Sequence, residues 1–159
     1  MHKKITNKGF TLLEVLLVVA AIAILAGIAI FAINPGKQLA EMRNGKREAD
    51  LSLIVSALYQ YAIDNGGNLP DDLRTQADSD CENYAEADIC MTGSPSHFCG
   101  VDLSALTDNQ KYLVSVPIDP AGAIQGVDGT GYFIQKNENG RIIACAPNAE
   151  LGKQIRIVK

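Results

Sequence analysis

Residues 10–33 form an apolar run of 24 residues holding a single carboxylate, Glu14, and a single hydroxyl, Thr11. Nothing else in this 159-residue chain limits its fold as strongly. At ~1.5 Å per residue, a helix of that length is about 36 Å long, enough to cross a ~30 Å hydrocarbon core with some tilt. It exceeds the usual apolar region of a cleaved secretory signal. Gly27-Ile28-Ala29 still offers small residues to a conventional signal peptidase, and a mature start at Ile30 is the alternative outcome. His2, Lys3, Lys4 and Lys8 precede the run. Positive charge stays on the cytoplasmic side, so the remainder of the chain points outward. A carboxylate costs roughly 2.5–3.5 kcal/mol at the centre of a membrane helix and less near its end. Glu14 is therefore expected to have a partner; the alternative is a side chain that snorkels to the interface.

The formal charge is −4, and loss of residues 1–9 with Lys3, Lys4 and Lys8 would make it −7. Such an acidic product argues against electrostatic binding of nucleic acid as its default role. All four cysteines, Cys81, Cys90, Cys99 and Cys145, follow the apolar run. An even number in an exported segment predicts disulfides, with buried free thiols as the alternative. Of the three possible pairings we expect Cys81–Cys90 and Cys99–Cys145. The gaps do not resemble a zinc knuckle.

Residues that carry catalysis are scarce. His2 lies ahead of the run, and His97 sits in a polar stretch with Ser94, Pro95, Ser96 and Cys99. A Cys–His pair would offer a nucleophile, but a loop histidine is the expected reading. There is no phosphate-cradling glycine loop, zinc-protease helix or nucleophile elbow. Asp71-Asp72, Asp78 and Asp80 read as acidic surface. We expect no enzyme, no cofactor and no metal. An anchored, exported binding domain or enzyme is the reading from another class.

Asn34-Pro35-Gly36 interrupts the helix, because proline lacks a donor and crowds the residue before it. A kinked or melted stretch is expected there, with Pro35 and Gly36 as the break. Helical pattern resumes from Lys37 to about Asp64, where Asn65-Gly66-Gly67 supplies a stop. Ala49, Leu53, Ala57 and Tyr61, with Ile54 and Leu58, mark its buried face. Glu41–Glu48 reads as a solvated charged face, with salt bridges between subunits as the sharper alternative. Residues 74–100 read as a disulfide-stapled loop or short helices, and Leu103–Leu106 as a short helix. Val114–Pro120 reads as irregular extended chain. Strands are expected over residues 131–136, 141–146 and 154–159, the first two joined by a hairpin at Asn137-Glu138-Asn139-Gly140. The fold class is α+β: a long N-terminal helix packed on a small antiparallel sheet.

Gly9-Phe10-Thr11-Leu12-Leu13-Glu14, behind a short basic leader, resembles the processing site of the type IV prepilins and of their relatives, the pseudopilins of type II secretion. The resemblance implies a prepilin peptidase cut between Gly9 and Phe10 and N-methylation of Phe10. Glu14 becomes the fifth mature residue, and the Phe10 amine of an incoming subunit pairs with the Glu14 of a neighbour. It further implies a precursor held as a single pass in the inner membrane, an inner-membrane assembly platform, and a homo-oligomeric helical filament outside the cell. Such filaments serve adhesion, twitching motility or DNA uptake. Residues 1–9 would be the leader, 10–33 the membrane and filament-core helix, 34–66 its amphipathic continuation and 67–159 the head. Tyr59–Pro70, Val116-Pro117-Ile118-Asp119-Pro120 and Gly131-Tyr132 also resemble the major pseudopilin pattern. Pseudopilins of that type bind calcium near the sheet. Asp119 and Asp128 are the candidates here, and turn-forming aspartates are the expected reading.

Overall fold

The structure, a computed structural model, describes residues 9–73, 75, 87–94, 99–122 and 128–159. The chain divides into two compact units, Met1–Leu39 and Ala40–Lys159.

Helix α1, Leu12–Ile33, buries none of its residues. It ends at Asn34, whose backbone is left-handed at φ 46° and ψ 74°, a conformation that asparagine tolerates better than most residues. Helix α2, Pro35–Asp64, begins at the next residue. The Asn34 side-chain oxygen accepts from Lys37 N at 3.3 Å, and its carbonyl accepts from Lys37 N at 3.1 Å and Gln38 N at 3.3 Å. Pro35 therefore occupies the first turn, where a missing N–H goes unnoticed. The interruption is a one-residue kink at Asn34 and not a melted stretch. Pro35 and Gly36 open the second helix.

In the second unit, α2 buries Ala40, Asn44, Arg47, Leu51, Ile54, Val55, Ala57, Leu58 and Ala62. This is one stripe at alternating three- and four-residue spacing. It corrects the expected face. Ala57 is buried and Tyr61 is half-buried, but Leu53 is 50% exposed and Ala49 is exposed. With 3.6 residues per turn, Leu53 and Ala49 fall on the far side of the helix from Leu51, Leu58 and Ala62.

The sheet is antiparallel throughout, in the order β1 (Asp88–Cys90), β2 (Gly129–Lys136), β3 (Ile142–Ala146) and β4 (Ile155–Val158). The three expected strands are present. In the β2–β3 hairpin Asn137 N donates to Arg141 O at 2.9 Å, and Gly140 takes the positive φ of 77° that its turn needs. β1 is an additional strand, found where a loop or short helices were expected. Three residues are too few to show an alternating pattern. Alternation sorts β2 and β3 by face. Tyr132, Ile134, Ile142, Ala144 and Ala146 share a core with Leu51, Ile54, Val55 and Leu58 of α2. Phe133, Ile143 and Cys145 cluster with Ala87. A short helix α3, Ser104–Thr107, contributes buried Leu106, and 114–120 lacks regular structure. The fold is α+β, as expected.

Candidate functional site

Helix α1 starts at a well-formed cap. Thr11 is extended at φ −79° and ψ 150°, and its hydroxyl oxygen accepts from Glu14 N at 3.3 Å. Its carbonyl accepts from Glu14 N at 3.1 Å and Val15 N at 3.2 Å. A cap of this type stabilises a helix by about 1 kcal/mol. The Thr-x-x-Glu spacing ahead of an apolar run is the sequence signal of a capping box, and reading Thr11 only as a weak polar residue misses it. Glu14 thus sits in the first turn, where the positive end of the helix dipole favours a carboxylate. Part of the compensation this residue needs is local.

Gly9 and Phe10 lie outside the helix and are exposed, Phe10 at 82%. The peptide bond between them is in non-helical chain, which a peptidase can align in its cleft. From Leu12 to Ile33 the helix is long and apolar enough to cross a membrane. Large apolar side chains lie exposed along its length, from Leu12 at 83% to Phe31 at 93%. Apolar surface on this scale needs lipid or protein against it.

The second unit contains a buried polar cluster that sequence reasoning missed. Arg47 has no exposed side-chain surface, and its Nε and Nη2 donate to Asp119 at 2.7 and 3.1 Å. Its Nη1 donates to Asn44 Oδ1 at 2.9 Å and to Glu150 Oε2 at 3.0 Å. Arg43 grips Glu150 through two bonds of 2.6 Å. Asn44 donates to Glu150 O and accepts from Glu150 N, each at 2.9 Å. The charged segment Glu41–Glu48 is therefore not simply a solvated face, and its arginines pair within the chain. The available signal was positional: Asn44 and Arg47 continue the apolar stripe of α2, so they had to be buried and had to find partners. The hydrogen bonds that Arg47 donates to Asp119, and then to Glu150, raise the pKa of its guanidinium against the opposing effect of burial. Hydrogen bonds from Arg43 and then Arg47 pull the Glu150 carboxyl down to about 2.

Asp119 is also a turn residue, as expected. Its Oδ1 accepts from Ala121 N at 2.7 Å and its carbonyl from Gly122 N at 2.8 Å. Both carboxylate oxygens are thus engaged by the chain itself, and Asp128 supplies its carbonyl to Met91 N at 2.8 Å. Among the described residues no group of three or more His, Cys, Asp or Glu could hold a metal ion. Asp72 accepts from Asp102 N at 2.7 Å, a structural role in the acidic surface.

Cys90 and Cys99 form a disulfide with Cα atoms 5.1 Å apart. This overturns both expected pairs, Cys81–Cys90 and Cys99–Cys145. The chain doubles back after β1 so that Val101 bridges Ile89, which carries Cys99 to Cys90. Cys145 is also in a disulfide. Cys81, His97, Asp78 and Asp80 lie outside the described residues.

No curated protein and no solved structure matches this chain. Residues 5–30 match the family described as the prokaryotic N-terminal methylation motif. That segment contains Gly9, Phe10, the Thr11 cap, Glu14 and most of the exposed apolar helix, so the chain carries the signature of the type IV pilins and prepilins.

Proposed function

We propose that this chain is the precursor of a structural subunit of a type IV pilus. A prepilin peptidase cuts it between Gly9 and Phe10, the new Phe10 amine is methylated, and α1 polymerises it into a filament. The observation that carries this reading is the capped, wholly exposed apolar helix with its single carboxylate in the first turn. Before assembly α1 crosses the inner membrane; afterwards it lies in the filament core outside the cell, with the assembly platform as the intermediate partner. Glu14 acts as a register device. Within a low-dielectric core its pairing with a neighbour's Phe10 amine is offset by desolvation, so the pair selects a position more than it adds stability. The second reading, a major pseudopilin of type II secretion, rests on the pattern from Tyr59 to Pro70 and around Asp119.

Mass spectrometry of the mature N-terminus tests the proposal. A chain beginning at methylated Phe10 is expected; an intact Met1 or a start at Ile30 overturns it. Gly9→Val should block processing and filaments together, whereas Glu14→Val should leave processing intact and prevent assembly. Surface filaments at native expression separate a pilus from a pseudopilus.

A further inference from the structure

Asp88 lies in edge strand β1 and is 1% exposed. Its Oδ1 accepts from Gly131 N at 3.1 Å. Its Oδ2 is buried and has no hydrogen-bond partner among the described residues. That oxygen is directed at Gly129, where an added Cβ would lie 2.0 Å from it. The carboxyl therefore fills the space of the side chain that glycine lacks. A buried carboxylate with one oxygen unpaired is costly, whereas the neutral acid is not penalised in the same way.

Among the described residues the surroundings supply no countercharge. From β2 the carboxyl meets the Thr130 and Gly131 amides and bare Gly129. On the other side, Gly100 N and Val101 N donate to the Asp88 carbonyl at 2.9 and 3.0 Å. No charged side chain of the described residues acts on it. The nearest titratable residues in sequence are Tyr84 and Glu86 before it and His97 and Asp102 after it. Burial pushes the carboxyl up to about 6, against the opposing pull of the Gly131, Thr130 and Ile89 amides.

We propose that Asp88 is a proton-operated latch: as a neutral acid it holds β1 against β2, and on ionising it loosens that edge strand. β1 suits this role, since it is three residues long. The sign follows from linkage. The folded state holds its proton to higher pH than the unfolded chain, so the latch is fully set below the ordinary carboxylate range. Its contribution is lost as pH rises toward and through about 6. Between the ordinary 3.8 and about 6, the folding equilibrium falls by about a hundredfold.

The test compares the full chain in detergent micelles with Asp88→Asn, both carrying His97→Gln to remove that imidazole's titration. Asparagine keeps the Oδ1 acceptor and mimics the neutral acid. Between pH 4.8 and 7.5 the parent should lose unfolding midpoint progressively while D88N holds level, and the protection factors of the Gly100 and Val101 amides, taken against the intrinsic exchange rate at each pH, should fall only in the parent. Parallel pH profiles overturn the proposal. Should D88N not fold, the carboxyl carbon shift of Asp88 in the parent decides: a midpoint near 6 supports the latch and one below 4.5 overturns it.

Discussion

Removing Asp119 tests what holds α2 to the loops of the head. Arg47 has no exposed side-chain surface, and two of its hydrogen bonds go to Asp119. Asp119→Ala leaves that guanidinium buried with only Asn44 and half-exposed Glu150 to meet it. Breaking one side of a buried pair typically costs about 3–5 kcal/mol, because the other charge stays desolvated. That is a large share of the 5–15 kcal/mol typical of a domain, and for a head of this size it corresponds to a drop on the order of 10–20 °C in Tm. Arg47→Met should cost a comparable amount, since Asp119 is then the stranded charge. The double variant Arg47→Met/Asp119→Leu should recover much of the loss, because an apolar pair of similar volume carries no desolvation penalty. Urea unfolding of the full chain in micelles, followed by circular dichroism, gives all four corners of the cycle. Additive losses in the double variant, or a loss below ~1 kcal/mol for Asp119→Ala, would refute the reasoning.

Three further outcomes are expected. Glu150 titrates near 2 in the folded chain, against an ordinary 4.5. Its stabilising contribution is thus present above about 4.5 and disappears as pH falls toward 2; the stability difference between the parent and Glu150→Gln should shrink over that window in an acid titration. Leu58→Ala should cost about 2–5 kcal/mol, whereas Leu53→Ala should stay within ~0.5 kcal/mol; equal losses in urea unfolding would contradict the buried stripe of α2. Non-reducing peptide mapping should recover Cys90 linked to Cys99, and Cys90→Ala/Cys99→Ala should lower stability by about 2–3 kcal/mol through the freed nine-residue loop.

Much of the head was legible where local pattern is strong. Strands β2 and β3 are short runs rich in aromatic and β-branched residues, β4 alternates, the Asn137–Gly140 turn has the residues its hairpin demands, and Gly66 and Gly67 stop α2 in the left-handed backbone that glycine favours. β1 was not legible, because its three residues are ordered by partners far along the chain, Val101 and Gly129–Phe133. The disulfide pairing failed for the same reason: spacing along the chain does not say where it doubles back. The N-cap at Thr11 is legible in the Thr-x-x-Glu spacing, because both the cap and the amide it accepts from lie within four residues.

What the sequence determined by itself is the N-terminal segment. An apolar helix long enough for a membrane, its cap, its one carboxylate and the Gly9-Phe10 junction are all set by local composition and spacing, which need no tertiary partner. Even the kink follows from neighbours, once Asn34 is recognised as the residue that closes one helix and starts the next. The tertiary structure alone decided which face of α2 is buried, why Asn44 and Arg47 lie in that face, and which cysteines meet. Those features depend on contacts between residues as much as 107 positions apart, as for Arg43 and Glu150. A charge buried in a core is acceptable only if its partner is brought to it, and that partner is named by the fold, not by the neighbouring sequence.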